Sequence, residues 1–222
     1  MQGDHWLMGI LLLVRHGQAS WGAENYDQLS EIGWEQGRIL GRALAERGIQ
    51  PDLVVSGGMQ RHQETCAGVL ESLGGREVMI DPGWNEFDHV EVFRKIEPKS
   101  GFVDSFEEFE RAITRWTGGE FADYQESFGE FTGRIDGALR RTSEAVGDGI
   151  AIVFTSGGPA SWSATSVLGG EVPLWRRLNP VCANTGVTKI AVRPERTHLM
   201  TFNETVHIEA QLATRPELLT YR

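Results

Sequence analysis

Residues Ile10 to Val14 are an unbroken apolar run, Ile-Leu-Leu-Leu-Val, that stops at Arg15-His16-Gly17. The run is too short to cross a bilayer and carries no polar alternation, so it reads as a strand covered on both faces. Strands of that kind belong to the interior of a parallel α/β sheet. Open α/β sheets place their ligands at the carboxyl ends of the strands, where these three residues fall. Arg15 offers a planar fork matched to phosphate oxygens. His16 is a nitrogen nucleophile or base that is largely neutral near pH 7. Gly17 lets the backbone turn tightly and approach a ligand.

The chain then alternates between helical and extended patterns. Ser20 to Gln28 is a polar loop carrying Trp21 and Tyr26. Ser30 is predicted to cap a helix from about Glu31 to Arg47, with Ile32, Gln36, Leu40, Ala43 and Leu44 along one face and Gly48 closing it. Asp52 to Ser56 follows as a second strand, which makes a parallel β-helix-β unit. That strand leaves through Gly57-Gly58 into a helix reaching about Leu73, with Arg61 near its start, where backbone N–H groups favour anions. Glu77 to Pro82 reads as a third strand leading into Gly83-Trp84-Asn85-Glu86-Phe87. From about 89 to 129 the pattern turns helical. Ser105 and Glu108 read as a capping box, with Phe106, Phe109, Ile113 and Trp116 at helical spacing as core positions. A helix is expected over Phe128 to Val146, then an apolar strand over Ile150 to Phe154. Gly157 and Gly158 next allow close approach, and Pro159 suits a first helical position. Gly186 to Val192 and His198 to Phe202 complete the pattern as an edge hairpin.

A length of 222 residues with 40% hydrophobic content suits one α/β domain over 1–222 with a helical insertion at about 89–129. The net charge of −10 argues against nucleic acid or an anionic membrane as partner, so an anion site must be built from locally gathered arginines. Cys66 and Cys182 have neither metal nor redox spacing, and residues 1–9 lack the cationic start of a signal peptide; a reduced, cytoplasmic protein is expected. No dinucleotide fingerprint, Walker loop or zinc motif is present.

Arg15-His16-Gly17 after a hydrophobic strand, with Arg61 in a post-strand loop and Thr65 four residues on, resembles the histidine phosphatase superfamily, which includes the phosphoglycerate mutases. The resemblance implies a three-layer α/β/α sandwich with a mostly parallel sheet and a helical cap that shapes substrate choice. It implies that His16 is a phosphoryl-accepting nucleophile, that Arg15 and Arg61 hold the phosphate, and that Glu86 is the general acid, with Asp88 and Glu91 as nearby alternatives. The implied partner is a small phosphorylated substrate or phosphate, with no metal or organic cofactor required; the oligomeric state stays open, a dimer included.

The chain departs from the family at two positions and in lacking the usual glycine-containing continuation after Glu86. A second histidine is expected before two glycines after the Ile150–Phe154 strand, and Ser156 stands there instead, ahead of Gly157 and Gly158. His62 stands where the family has a small residue. A serine donates one hydrogen bond but carries no charge, and losing one preorganised donor to a developing charge costs about 3–4 kcal/mol. Enzymatic accelerations exceed about a millionfold, so a slowed enzyme survives that loss. His62 beside Arg61 is the first candidate to compensate and His207 the second; Ser156 could instead only cap the next helix, or meet phosphate together with Gly157. Three functions stay open: a phosphatase working through a phosphohistidine on His16, a mutase-type phosphoryl transfer, and a module that binds a phosphorylated ligand without turnover.

Overall fold

The computed structural model describes residues 8–20, 27–96, 106–119, 122–193 and 196–221. Six strands form one sheet: β1 (Gly9–Arg15), β2 (Leu53–Ser56), β3 (Met79–Ile80), β4 (Ile150–Thr155), β5 (Val187–Arg193) and β6 (Arg196–Glu204), in the order β3-β2-β4-β1-β5-β6. The first four are parallel, whereas β5 runs antiparallel to β1 and β6 antiparallel to β5. The sheet is therefore mostly parallel with an antiparallel hairpin at one edge.

The apolar run of β1 is explained by its two coverings. Leu11 and Leu13 face a core shared with Val55, Ala151 and Val153, packed under α5 (Phe128–Val146) and α6 (Gly157–Val167). Leu12 and Val14 face the opposite way, with Val54, Ile152 and Phe154, onto α1 (Glu31–Glu46) and α2 (Gln60–Leu73). Helix, sheet and helix thus make three layers, and each fully buried aliphatic or aromatic side chain adds roughly 1.5–3 kcal/mol. The remaining helices are α3 (His89–Arg94), α4 (Phe106–Thr117), α7 (Val172–Leu178) and α8 (Val206–Glu209). Among the described residues, no helix is long and apolar enough to cross a membrane.

Local chemistry sets the helix ends. The Ser30 side chain accepts from Gly33 N–H to cap α1, and Gly48 follows with φ +68°. At α5, Ser127 and Glu130 form a reciprocal capping box that the sequence reading did not single out. The box expected at Ser105 lies outside the described residues, as do Trp21 and Tyr26.

Several expectations need correction. The third strand spans only Met79–Ile80, because it is an edge strand paired to β2 alone and the chain turns at Pro82, which lacks an N–H. On α1, Gln36, Leu40 and Leu44 are buried as expected, but Ile32 and Ala43 are half-buried, and Gly33, Gly37 and Gly41 are buried as well. Close approach is the reason: a Cβ on Gly33 would lie 2.2 Å from the Gln18 carbonyl, and one on Gly41 would lie 2.4 Å from that of Val69. The glycines let α1 press against both the loop after β1 and α2. Pro159 is the third residue of α6, whose first turn starts at Gly157, where a missing N–H is still harmless.

Candidate functional site

The loops leaving β1, β2 and β4 converge because their strands are in register, with Arg15 beside Thr155 and Ser56 beside Phe154. The ladder runs one step past the strand ends. His16 N–H donates to Thr155 O at 2.8 Å and Gly57 N–H to Phe154 O at 2.9 Å. The chain crosses over β4 between β1 and β2, so the three loops open onto one another at the carboxyl edge.

His16 is 4% exposed. Its Nδ1 lies 2.7 Å from the Gly17 carbonyl, which can only accept, so Nδ1 carries the proton and Nε2 keeps its lone pair. Burial first, then the charges of Arg61 and Arg15 and the His62 ring, hold this imidazole well below the ordinary histidine value and therefore neutral near pH 7. Its carbonyl accepts from Asn184 Nδ2 at 3.0 Å, and Asn184 Oδ1 accepts from Thr220 Oγ1 at 2.9 Å. Gln36 joins the same network, donating to Thr220 Oγ1 and accepting from Gln18 N–H, each at 2.8 Å. Thr65 ties the loops after β1 and β2 together. Its hydroxyl accepts from Gly17 N–H at 2.9 Å and donates to the Arg61 carbonyl at 2.7 Å.

Both arginines act on this imidazole. Arg61 occupies the first turn of α2, is 4% exposed, and donates from Nη1 to Asp27 Oδ1 at 2.6 Å. Arg15 donates to the carbonyls of Cys182 and, at 3.1 Å, Tyr221. Its Nε lies 3.6 Å from where a Cβ on Gly157 would stand, so it flanks the start of α6.

Glu86 reaches the same edge from the loop after β3. Its Oε2 accepts from Gly158 N–H at 3.0 Å and its Oε1 from Phe87 N–H at 3.2 Å. A Cβ on Gly158 would lie 2.1 Å from Glu86 Oε1, so only glycine admits the carboxyl there. Burial pushes its proton affinity above the ordinary carboxylate value, against the opposing pull of those N–H groups, Arg61 and Arg15. The loop is held from α5, where Arg134 Nη1 donates to the carbonyls of Gly83 at 3.0 Å and Asn85 at 2.9 Å.

The Ser156 hydroxyl does not cap α6. Ser156 sits at the N-cap position with no side-chain cap bond, and its Oγ lies 2.7 Å from His62 Nε2. Both side chains are fully buried, and the His62 ring centroid is 5.8 Å from that of His16. Gly57 makes room for this ring, since a Cβ there would lie 2.2 Å from His62 Nδ1. Burial and then Arg61 keep His62 neutral.

His16, Arg15, Arg61, Glu86, His62, Ser156 and Gly157 therefore gather at one edge, while the alternatives do not. Asp88 caps α3 by accepting from Glu91 N–H at 3.0 Å, and Glu91 accepts from Gln125 N–H at 2.8 Å. His207 hydrogen-bonds Thr185 Oγ1 at 3.0 Å and answers to Arg47, Glu204 and Glu209 rather than to His16. Sequence reading missed Asp27, Arg134 and Asn184, whose partners are distant in the chain. It also missed His89 at the start of α3, which feels the charge of Arg61. Only Asp27, a carboxylate in a polar loop after the Arg-His-Gly turn, stood near a recognisable signal. Among the described residues, no cluster of three or more His, Cys, Asp or Glu side chains could hold a metal ion.

Comparison with known proteins bears on the fold and the lineage. The profile of the histidine phosphatase superfamily (branch 1) matches residues 11–205. The 2,3-bisphosphoglycerate-dependent phosphoglycerate mutase of Allorhizobium ampelinum is 35% identical over 91 residues, which cover 37% of this chain and 43% of that relative. The chain thus spans less than half the length of the curated relatives it matches. Phosphoserine phosphatase of Entamoeba histolytica in complex with 3-phosphoglyceric acid superposes with a TM-score of 0.69 at 20% identity, covering 90% of this chain and 99% of that one. Phosphoglycerate mutase of Bacillus anthracis gives a TM-score of 0.69 at 18% identity, covering 91% and 96%. At these identities the superpositions speak for the fold, and the profile match over most of the chain speaks for the lineage: this protein belongs to the histidine phosphatase superfamily, branch 1.

Proposed function

We propose that this chain hydrolyses phosphate monoesters through a phosphohistidine formed on His16. The observation that carries the reading is the Nδ1–H bond from His16 to the Gly17 carbonyl, which leaves Nε2 as the lone-pair nitrogen of a ring that feels the charge of two arginines. Nε2 attacks phosphorus in line and the ester P–O bond breaks. Arg15 and Arg61 neutralise the phosphoryl oxygens, and the departing alkoxide takes its proton from Glu86. Water then attacks the phosphohistidine, giving its proton to the Glu86 carboxylate as the P–N bond breaks, and inorganic phosphate leaves. The raised proton affinity of Glu86 suits a group that must start protonated.

In this reading Ser156 holds the position of the family's second histidine, and His62 supplies the imidazole from another element. Among the described residues His62 Nδ1 has no hydrogen-bond partner, and a buried orphan N–H is rarer than a buried unpaired acceptor. That favours the tautomer with the proton on Nε2, donating to Ser156 Oγ. The Ser156 hydroxyl proton is then available to a phosphoryl oxygen, with the histidine polarising it from behind.

A mutase of the kind named for the Allorhizobium relative shares the first half-reaction and differs in returning the phosphoryl group to a second hydroxyl. The test is turnover of an aryl phosphate together with rapid quench for an acid-labile phosphohistidine. His16→Ala is expected to remove both, lowering turnover by about 10⁴-fold or more. Phosphate or vanadate binding with no turnover on any ester would instead identify a binding module.

A further inference from the structure

The end of β1 needs partners beyond its antiparallel ladder. Pairing with β5 stops at Val14 opposite Val187, so on that side the carbonyls of Arg15 and His16 have no strand to answer them. A turn answers them instead. Ala183 to Gly186 closes through Gly186 N–H, which donates to the Ala183 carbonyl at 3.0 Å. From this turn Thr185 N–H donates to Arg15 O at 3.0 Å and to His16 O at 3.3 Å, and Asn184 Nδ2 donates to His16 O at 3.0 Å. Gly186 O completes the set by accepting Arg15 N–H at 3.1 Å.

The turn holds backbone strain at its third residue. Thr185 is fully buried with φ 56°, the left-handed region that suits glycine or asparagine and is an outlier for a β-branched side chain. What threonine adds over glycine is a tether. Its Oγ1 donates to the Asn184 carbonyl at 2.7 Å and lies 3.0 Å from His207 Nε2. The carbonyl can only accept, so it takes the hydroxyl proton, and His207 Nε2–H supplies the second bond. Burial, then the charge of Arg47, holds His207 down at about 4, so it makes this bond as a neutral ring. Asn184 is clamped from the other side. Its N–H donates to Thr220 O and its Oδ1 accepts from Thr220 Oγ1, each at 2.9 Å. Strain of this kind persists only where the surroundings over-determine it, and it collects at functional sites.

We propose that Thr185 is a positioning residue for His16: its strained, tethered turn fixes the carbonyls of Arg15 and His16 and, through that backbone, the orientation of the ring that donates to the Gly17 carbonyl. The inference rests on the phosphatase reading above and adds to it a residue that acts through main-chain bonds.

Thr185→Gly keeps the turn accessible and removes the tether. On an aryl phosphate its kcat per folded molecule should fall by about 10- to 100-fold with KM moving far less, the scale of a small misplacement of reacting groups. Thr185→Ser keeps the hydroxyl and should recover kcat to within about threefold of wild type; His207→Ala cuts only the outer bond and should lose about three- to tenfold. Ring ¹⁵N spectra of His16 need no turnover. The wild-type ring should carry its proton on Nδ1, and Thr185→Gly should mix the two neutral tautomers while Thr185→Ser does not. Wild-type kcat with a wild-type His16 spectrum in folded Thr185→Gly, or a Thr185→Ser variant as impaired as Thr185→Gly, overturns the proposal. If Thr185→Gly does not fold, the same two readings on His207→Ala decide. Tautomer mixing in a chain that turns over no ester supports the role of Thr185 and refutes the phosphatase reading instead.

Discussion

At the sheet edge, glycines let polar groups crowd together; in the region around α4, aromatic rings do the filling. His16, His62 and Arg61 are each no more than 4% exposed, and glycines at 57 and 158 admit a ring and a carboxyl that any side chain would block. The other region is packed around Trp116, whose ring centroid lies 4.5 Å from Phe87, 5.0 Å from Phe128 and 5.3 Å from Phe131, while Lys95 and Arg115 are bound to Asp123. The edge concentrates electrostatic stress near a buried imidazole. The aromatic region concentrates apolar contact. The two should accordingly fail in different ways when cut.

Glu86→Gln should have the largest effect of the three tests that follow, lowering kcat on alkyl phosphates by about 10²–10⁴-fold, with less loss for aryl esters whose leaving groups need no acid. The same residue sets one limb of the pH profile. His16 must be neutral, and its affinity for a proton is lowered, so activity is retained below the ordinary histidine range and falls only when acid finally protonates it. Glu86 must be protonated, and its affinity is raised, so the alkaline limb lies above the ordinary carboxylate range. The two shifts widen the overlap from both sides, and an optimum on the acid side of neutrality is expected; an alkaline optimum would contradict the assignment of Glu86 as acid. Asparagine or glutamine at 86 should also erase the alkaline limb.

Trp116→Ala should instead destabilise the fold by about 3–5 kcal/mol, read from denaturant unfolding, because it opens a cavity among rings. Per folded molecule, its kcat on an aryl phosphate should move less than tenfold, roughly the span below which no catalytic contact need be invoked. A loss comparable with that of Glu86→Gln would erase the contrast between the two regions. Ser156→Ala should have the smallest effect in free energy, about 10- to 100-fold in kcat, below the range for a primary oxyanion donor because Arg15 and Arg61 still act. A His62→Phe variant and the double variant sharpen this: if the pair works as one unit, the double loss is well below the product of the single ones.

What could be read from the chain followed the range of the interaction. Val14, Arg15, His16 and Gly17 are neighbours, so a strand end carrying a base and a guanidinium was visible directly. Ser30 and Gly48 bracket α1 through bonds within one turn, and both ends were legible. β3 was overestimated because its length depends on how much of β2 remains to pair with it, not on Glu77 to Pro82. The glycine stripe of α1 was passed over because periodicity arguments count apolar side chains, and the stripe works by having none. At the site, the bond from His62 to Ser156 joins residues 94 positions apart, so sequence could propose compensation but could not put the two side chains in contact.

The order of residues was enough to specify an inner strand, a histidine at its end, two arginine-bearing turns and a family, because each depends on side-chain chemistry and short-range backbone geometry. Tertiary structure alone decided which proton His16 keeps, which carboxylate meets Gly158, where the hydroxyl of Ser156 is directed and that Asp27 stands against Arg61. The first turns on how the His16 ring is oriented against its neighbour Gly17, and the other three on distances of about 3 Å between segments far apart in the chain, set by strand register and by helices packed closely enough that a single Cβ would separate them.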